Sequence, residues 1–462
     1  MKMAKKLISI FTAALIAFSF TGLAFAADEP ESLPALHTEG EKIVTSDGDE
    51  IIFRGTNFGG WGIMEDWFCP YTSPSGEEEV YTTLVSRFGQ EKTDELFRLY
   101  RSNWITETDY ANVSELGMNV VRLPLWYRNF QSDDKGTWYT KEDGSIDFDE
   151  LDNVVAMCKK YGLYLILDLH GLPGYQNDYD HCGKSKSMSL FDDTDSGREF
   201  RRVVVDFWSQ LAAHYEGEST IAMFDLMNEP LGTSITIDKS MQQTFWDFSD
   251  ELYRAVRAID PERMICMEAI WDPTAIPSPE VYGWENIVYQ EHIYDISNPS
   301  VLGKMLEIKR ANYGAPFYIG EFYPRVLTTF GYMFSLFNSL ELNWTTWTYK
   351  GAGPDADSSP WFIYGSSEIE KIDYENDSYE TLCEKFGECL RTDSGKFKRN
   401  DFADYAANFT SGYYSKACVA TFGLIDTAGT VPQRIAMLNQ KLGAMKTTVI
   451  DWVRKFMAGE LL

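Results

Sequence analysis

Two short apolar segments of this chain each end in a glutamate. Residues 221–227 (Ile-Ala-Met-Phe-Asp-Leu-Met) lead into Asn-Glu-Pro at 228–230, and residues 316–320 (Pro-Phe-Tyr-Ile-Gly) lead into Glu321. In a parallel barrel the carboxyl ends of the strands carry the chemistry. Two carboxyl groups placed there can divide the cleavage of a glycosidic bond between a proton donor and a nucleophile. One such glutamate alone would be read as an ordinary solvated residue. The pair predicts that Glu229 and Glu321 are catalytic.

Eight apolar stretches of strand length alternate with longer amphipathic segments, which is typical of βαβ units around a parallel sheet. The predicted strands are Ile51–Asn57, Met118–Leu123, Leu163–Leu169, Ile221–Met227, Met264–Ala269, Ile287–His292, Phe317–Glu321 and Trp344–Tyr349. The predicted helices are Leu151–Tyr161, Arg198–Tyr215, Met241–Ile259, Val301–Asn312 and Val431–Ala458. We therefore predict an α/β fold, a (β/α)₈ TIM barrel, as a single catalytic domain over residues 27–462.

Two segments add to this barrel. Residues 42–53 read as a hairpin that turns at Asp47-Gly48 and covers the bottom of the barrel. Residues of about 358–421 fit no strand–helix unit and form a long insertion after strand eight, on the catalytic face. We predict a lid or a wall of the cleft, with a plain surface elaboration as the alternative.

The ends of the predicted strands also carry residues suited to holding a sugar beside the two carboxyl groups. In chain order they are Asn57, Trp61, Arg122, His170, Asn228, His292, Tyr294 and Trp347. A lone histidine is more often a hydrogen-bonded core residue. Here two of the five histidines in the chain lie at matching strand ends, and a random chain would not order such residues at successive strand termini. All eight are predicted to bind substrate.

On these residues the chain resembles glycoside hydrolase family 5, the cellulase family of retaining (β/α)₈ glycosidases, over roughly residues 42–350. The resemblance implies that Glu229, in Asn-Glu-Pro, is the acid/base and that Glu321, in Gly-Glu-Phe, is the nucleophile. It implies that Asn228 holds the sugar 2-hydroxyl and that Trp347 forms the floor under the sugar. Arg122, His170, His292 and Tyr294 match the residues that support that subsite.

Each carboxyl group needs a different environment for this chemistry. Arg122 and the Tyr294 hydroxyl are expected to keep Glu321 ionised. Glu229, for which the sequence suggests no cationic neighbour, is expected to keep its proton at mildly acidic pH, with an optimum at about pH 5 to 7.

The function predicted first is a secreted endo-β-1,4-glucanase. Gly-Gly-Trp at 59–61, Glu-Asp-Trp at 65–67 and residues 170–177 resemble the branch that also holds β-1,3- and mixed-linked glucan enzymes. An exo-β-1,3-glucosidase or mixed-linkage β-glucanase is therefore the alternative, followed by a β-mannanase. That branch often has Ser where Tyr175 stands, and the bulkier Tyr175 is expected to narrow one side of the cleft.

Two further classes are weighed. A glycan-binding protein on an inactive barrel should have lost one of the two glutamates, and both are present. An aldolase that forms a lysine Schiff base needs a desolvated lysine on an inner strand. Lys350 alone lies near a strand end, and it is expected to follow Tyr349 toward solvent.

The remaining expectations concern export and partners. Three early lysines, an uncharged stretch and Ala-Phe-Ala at 24–26 predict a signal peptide over residues 1–26. With 70 acidic against 41 basic residues, nucleic acid and anionic membranes are disfavoured as partners, and a β-glucan and a monomer are expected. Neither a cofactor nor a metal is predicted. Of the seven cysteines, Cys383 and Cys389 are the expected disulfide pair.

Overall fold

The structure is a computed structural model, and it describes most of the chain between residues 32 and 410. The described residues are 32–231, 239–268, 277–294, 314–323, 333–334, 337–338, 340–352 and 361–410. The predicted signal peptide and the predicted helices Val301–Asn312 and Val431–Ala458 lie outside these residues. Within the described part of the chain, no helix has the length and apolar character that crossing a membrane requires.

A small antiparallel sheet comes first and covers one end of the barrel. It consists of β1 (Leu36–Glu39), β2 (Lys42–Thr45) and β3 (Glu50–Ile51). Gly48 makes the turn between β2 and β3 with a φ of 87°, a backbone conformation that favours glycine. Leu36 and Ile43 pack with residues from inside the barrel, such as Phe53 and Val120. The predicted hairpin at the bottom of the barrel is therefore confirmed.

Eight parallel strands then close into a barrel, as predicted. They are β4 (Arg54–Asn57), β5 (Val120–Trp126), β6 (Tyr164–Gly171), β7 (Ile221–Asp225), β8 (Met264–Glu268), β9 (Ile287–Ile293), β10 (Phe317–Phe322) and β11 (Asn343–Thr346). Each pairs in parallel with the next, and β11 pairs with β4 to close the ring. Every residue of these strands is buried. This explains why they read as short continuous apolar runs.

Helices flank the strands. The described ones are α1 (Glu77–Phe88), α2 (Gln90–Trp104), α3 (Glu107–Glu115), α4 (Asp149–Lys160), α5 (Asp195–His214), α6 (Lys239–Arg257), α7 (Pro279–Tyr282), α8 (Tyr379–Phe386) and α9 (Asp401–Thr410). The sequence predicts α4, α5 and α6 to within a few residues, but it misses α1 to α3 between β4 and β5. Gly89, at a φ of 87°, separates α1 from α2, so neither helix shows a long periodic pattern.

The segment after β11 builds a small sheet of its own. Its strands are β12 (Lys350–Gly351), β13 (Ile363–Gly365) and β14 (Phe397–Arg399). The segment packs against the helices that follow β4, where Arg87 donates hydrogen bonds to the carbonyl oxygens of Tyr374 and Asp377. Its described residues therefore lie beside the barrel helices.

Lys350 joins this segment to the barrel, and the expectation that it points toward solvent is wrong. Its side chain is fully buried. The ammonium group donates to the carbonyl oxygens of Trp104 and Leu390, both at 2.7 Å. It also lies 4.1 Å from the centre of the Phe397 ring. Burial lowers the pKa of Lys350 to about 8. Both hydrogen bonds go to backbone groups remote from the glutamates at the strand ends, which gives Lys350 a structural role.

Replacing Lys350 with alanine is expected to lower the free energy of unfolding by about 2 to 6 kcal/mol, because two buried carbonyl oxygens lose their donor at roughly 1 to 3 kcal/mol each. Urea unfolding followed by circular dichroism measures this change. Lys398→Ala removes an exposed lysine from the same segment and should cost less than about 0.5 kcal/mol. Equal effects of the two variants would contradict the assigned role of Lys350.

The expected disulfide between Cys383 and Cys389 is also wrong. Both cysteines are free, as are Cys69, Cys158, Cys182 and Cys266. Cys383 lies within α8, whereas the Cys389 thiol points back to the carbonyl oxygens of Glu384 and Lys385 at 3.3 Å. Cys158 and Cys266 are buried in the core.

Candidate active site

A cavity of about 300 Å³ opens at the carboxyl end of the barrel. Its walls come from strand ends and from the loops that follow β4 and β6. The lining residues are Glu65, Trp67, His170, Tyr179, His181, Asn228, Glu229, Tyr294, Glu321 and Trp347. Both predicted catalytic glutamates are therefore part of one cavity.

Arg122, at the centre of β5, organises the floor of this cavity. Its guanidinium group is fully buried and forms ion pairs with Asp225 at 2.8 Å, Asp168 at 3.0 Å and Glu321 at 2.7 Å. It also donates to Asn228 Oδ1 at 2.9 Å and to Asn57 Oδ1 at 3.1 Å. A buried guanidinium group is stable only when its donors are satisfied in this way. Arg122 therefore fixes Glu321 and Asn228 relative to each other.

Glu321 lies on β10 where the strand departs from regular pairing. The register with β9 shifts between Ile319 and Glu321, and such a bulge re-aims the side chain that follows. The strand also needs a glycine at 320, since a Cβ there would lie 2.2 Å from Gln290 Oε1. The second oxygen of Glu321 accepts a hydrogen bond from the Tyr294 hydroxyl at 2.5 Å. Arg122 on one oxygen and Tyr294 on the other therefore fix the position of the Glu321 carboxyl group.

Glu229 has a strained backbone. Its φ is 44°, a region that non-glycine residues rarely occupy and that costs about 1 to 3 kcal/mol. Neighbouring groups hold the strain: the Glu229 amide donates to Glu268 Oε2 at 2.9 Å, and Asn177 Nδ2 donates to the Glu229 carbonyl at 3.0 Å. Gln176 Nε2 binds the preceding carbonyl, of Asn228, at 2.9 Å. Strain maintained by several partners is typical of active sites.

Two histidines contact the carboxyl group of Glu229. His181 Nε2 lies 3.0 Å from Oε2, and His292 Nδ1 lies 2.7 Å from Oε1. The expectation that Glu229 lacks a cationic neighbour is therefore wrong. Burial opposes the negative charge, but His181 and then His292 outweigh it, so the pKa of Glu229 is lowered from its usual range. Burial opposes a charge on His181 as well, yet the Glu229 carboxylate raises the pKa of His181 to about 9.

His292 lies between the two glutamates. Its Nδ1 is 2.7 Å from Glu229 Oε1 and 3.5 Å from Glu321 Oε2. The separation of those two oxygens cannot exceed the sum of the two distances, and that sum is below the roughly 6.5 Å at which inverting glycosidases begin. This bound applies to one pair of oxygens and is compatible with the roughly 5 to 5.5 Å spacing of retaining enzymes.

His170, Asn228 and Trp347 form another part of the wall. The Trp347 indole stacks on the His170 ring, with the planes 12° apart and the centres 5.4 Å apart. His170 Nδ1 lies 2.7 Å from Asp168 Oδ2, and its Nε2 lies 3.3 Å from Asn228 Nδ2. Burial lowers the pKa of His170 to about 3, so this ring is neutral. Its position orients the amide of Asn228 and supports the indole.

Three of the residues predicted near the sugar do not line the cavity. Trp61 is buried under the guanidinium group of Arg101 and does not line the cavity. Asn57 is buried below it and acts through Arg122. Tyr175 is buried and does not narrow the cavity. None of the described residues 361–410 lines the cavity, although the Trp361 ring contacts Trp67 on its wall. The lid therefore stays a prediction.

Sequence reasoning did not predict that Glu65, Trp67, Tyr179 and His181 line the cavity. Glu65 and Trp67 belong to the Glu-Asp-Trp motif at 65–67, which resembles one branch of the family. That motif could have indicated that both residues lie at the cavity. Burial raises the pKa of Glu65 to about 8, and Trp67 Nε1 donates to its Oε2 at 2.7 Å. His181 is one of only five histidines in the chain, but no motif marked it.

Glu229, Glu268 and His292 place one potential metal ligand atom each within 4.8 Å of one another. Glu229 already contacts both of the other residues. Its backbone amide donates to Glu268 Oε2, and its carboxyl oxygen Oε1 lies 2.7 Å from His292 Nδ1. Burial also raises the pKa of Glu268 well above its usual range, and a protonated carboxyl group is a poor metal ligand. We therefore assign this group to the positioning of Glu229.

A closed eight-stranded parallel barrel with two glutamates at the ends of β7 and β10 defines the general class of retaining barrel glycosidases. The family model described as Cellulase (glycosyl hydrolase family 5) matches residues 82–353. The chain belongs to this family.

Two curated relatives carry different activities in their names. A beta-xylosidase of Phanerodontia chrysosporium is 32% identical over 266 residues, covering 56% of this chain and 52% of the relative. A glucan 1,3-beta-glucosidase of Candida oleophila is 30% identical over 277 residues, covering 55% and 60%. The chain thus spans only between half and two thirds of the length of these relatives.

Solved structures agree on the fold. The chain matches an endogalactoceramidase with a TM-score of 0.53 and 17% identity, covering 77% of this chain and 84% of that one. It matches a rutinosidase from Aspergillus niger with a TM-score of 0.51 and 15% identity, covering 73% and 98%. Identities this low speak for the barrel fold alone.

Proposed function

We propose that this protein is a retaining exo-β-glucosidase that removes glucose from β-1,3-linked glucans. The observation that carries the proposal is the cavity of about 300 Å³ with Glu229 and Glu321 on its wall, in contact with the same histidine nitrogen. The names of the relatives favour this function over the endo-β-1,4-glucanase that the sequence alone suggested first.

Glu321 is proposed to attack the anomeric carbon and Glu229 to protonate the departing oxygen. Arg122 and Tyr294 each contact one oxygen of Glu321 and orient its carboxyl group for the attack. Asn228, fixed by Arg122, is placed to bind the sugar 2-hydroxyl, and Trp347 presents a flat face to the ring. Water, activated by Glu229, then hydrolyses the glycosyl-enzyme with retention of configuration.

The size and walls of the cavity support action at the chain end. A volume of about 300 Å³ is at the lower end of the range for small-molecule sites, enough for one or two sugar rings. Glu65 and Trp67 come from the loop after β4, and Tyr179 and His181 from the loop after β6. An endo-acting enzyme needs a groove that continues past both sides of the cleaved bond.

Early products from laminarin, barley β-glucan, cellulose, mannan and xylobiose test this assignment. The proposal predicts that laminarin is the best of these substrates and that glucose is its first product. A ladder of oligosaccharides from cellulose would instead restore the endo-β-1,4-glucanase. Preferred cleavage of xylobiose would point to a β-xylosidase in the same cavity.

Trp67 and Tyr179 are proposed to bind the sugar that follows the cleaved bond. Each is 38% exposed and lines the cavity, and an aromatic face contributes roughly 0.5 to 1.5 kcal/mol beyond its buried area. Trp67→Ala should raise KM for laminaritriose by about 3- to 10-fold. Kinetics with β-glucosyl fluoride, which has no second sugar, should remain within about twofold of wild type. An equal loss on both substrates would argue against this subsite.

A further inference from the structure

His181 reaches the Glu229 carboxyl group from a different element than His292 does. It lies on the loop after β6, and its Nε2 is 3.0 Å from Glu229 Oε2. The ring stacks on Tyr179, with centres 5.5 Å apart and planes at 14°. Asn177 Nδ2 lies 3.1 Å from the same nitrogen, but it is a donor and does not bond to Nε2 when that nitrogen carries a proton. The histidine is thus held on its face by Tyr179, with Nε2 directed at Glu229.

The loop that carries His181 is tied to the backbone of Glu229. Asn177 donates from its side chain to the Glu229 carbonyl at 3.0 Å. Cys182, next to His181, is buried, and its thiol lies 2.9 Å from the Tyr179 carbonyl. Gly183 ends the turn with a φ of 107°. The contact between His181 and Glu229 is therefore a feature of the loop's fold.

The two histidines differ in how freely a substrate can replace them. His292 belongs to β9, and its side chain is 2% exposed, whereas the His181 side chain is 19% exposed and lines the cavity. A glycosidic oxygen entering the cavity therefore meets Glu229 on the Oε2 side, where His181 now binds.

On the basis that Glu229 is the acid/base, we propose that His181 is its proton partner. In the empty site His181 holds a proton on Nε2 against the Glu229 carboxylate. As a glycoside enters, the proton passes from Nε2 to Oε2 across this contact before the contact opens, which leaves a neutral imidazole and a protonated carboxyl group. Glu229 then gives that proton to the departing oxygen. In the second half-reaction Glu229 takes a proton from the attacking water and returns it to His181, so the cycle is balanced.

Charges on the surrounding elements favour this arrangement. The titratable groups around the pair are Glu65, Asp180, Asp168, His170, Glu268, His292, Tyr294 and Glu321. Glu229, Glu65 and Glu321 outweigh the burial of His181 and raise its pKa to about 9. The pair therefore keeps one proton through the neutral range and loses it only as the pH rises toward that value. Without His181, the proton would depend on Glu229 alone and would be lost at lower pH.

The pH profile of His181→Asn tests the proposal. For kcat/KM on laminaribiose, the alkaline limb should move down by about one to two pH units, while activity at pH 5 falls by less than about tenfold. With 2,4-dinitrophenyl β-glucoside, whose leaving group needs no proton, the limb should not move. His214→Asn replaces a histidine paired with Asp152 on the outer helices, and its profile should match wild type. A uniform loss at every pH on both substrates would mean a structural role and overturn the proposal.

A second experiment keeps His181 in place and measures the titration of its imidazole directly. In wild-type protein labelled with ¹⁵N-histidine, the His181 imidazole should titrate well above the usual range, and in Glu229→Gln it should return by at least about one pH unit. An unchanged titration would overturn the proposal. Failure of the proposed function looks different, since Glu229→Gln would then hydrolyse laminaribiose at the wild-type rate.

Discussion

Glu321→Gln is expected to lose at least about 10⁴-fold in kcat on laminaribiose, equivalent to roughly 5.4 kcal/mol of transition-state stabilisation. The amide is nearly the same size as the carboxylate but cannot form the glycosyl-enzyme. Arg122 keeps its ion pairs with Asp168 and Asp225, so the barrel should remain folded. Steady-state kinetics and thermal unfolding of the variant measure the two quantities.

The fate of an added nucleophile identifies the role of Glu321. In Glu321→Ala, azide can enter the space that the carboxyl group leaves and attack an activated glucoside directly. The product should be the α-glucosyl azide, with inverted configuration. A variant that keeps more than about a tenth of wild-type kcat would show that another group attacks the sugar.

Glu229→Ala should lose about 10² to 10⁴-fold on laminaribiose, the usual contribution of a general acid. On 2,4-dinitrophenyl β-glucoside the first step needs no proton, so the glycosyl-enzyme should form and accumulate. Azide should then accelerate turnover and give the β-glucosyl azide, with retained configuration, because it attacks the glycosyl-enzyme on Glu321. Burst kinetics and product NMR measure both effects.

Glu65→Ala is the matched control for this variant, since it removes a carboxyl group from the wall of the same cavity. Azide should not accelerate it. If Glu65→Ala were rescued with retained configuration and Glu229→Ala were not, the acid/base would be Glu65.

The barrel was predictable because its eight strands are buried on both faces and therefore read as short apolar runs. The strand ends were predictable for the same reason, and Arg122, Asn228, Glu229 and Glu321 meet at one edge of the sheet. Trp61 does not line the cavity, because it lies beyond the end of the strand, where the loop places its indole under the Arg101 guanidinium group.

The electrostatics of the site were harder to predict. Asp168 and Asp225 lie inside apolar strands, and a buried carboxylate needs a partner. These two positions indicated that a buried cation would be needed, and Arg122 forms ion pairs with both of them as well as with Glu321. Burial of Glu268 and the approach of His181 depend on how separate loops and strands pack, which no local pattern contains. The wrong expectation about Glu229 follows from that.

The configuration of the first product tests the central claim most directly. Wild-type enzyme is mixed with 2,4-dinitrophenyl β-glucoside, whose leaving group is not a sugar, and the anomeric protons of the released glucose are followed by NMR before mutarotation. Two carboxyl groups beside one histidine nitrogen predict that β-glucose appears first and that the α anomer follows at the mutarotation rate. An initial release of α-glucose would mean an inverting mechanism and would contradict the roles assigned to Glu229 and Glu321.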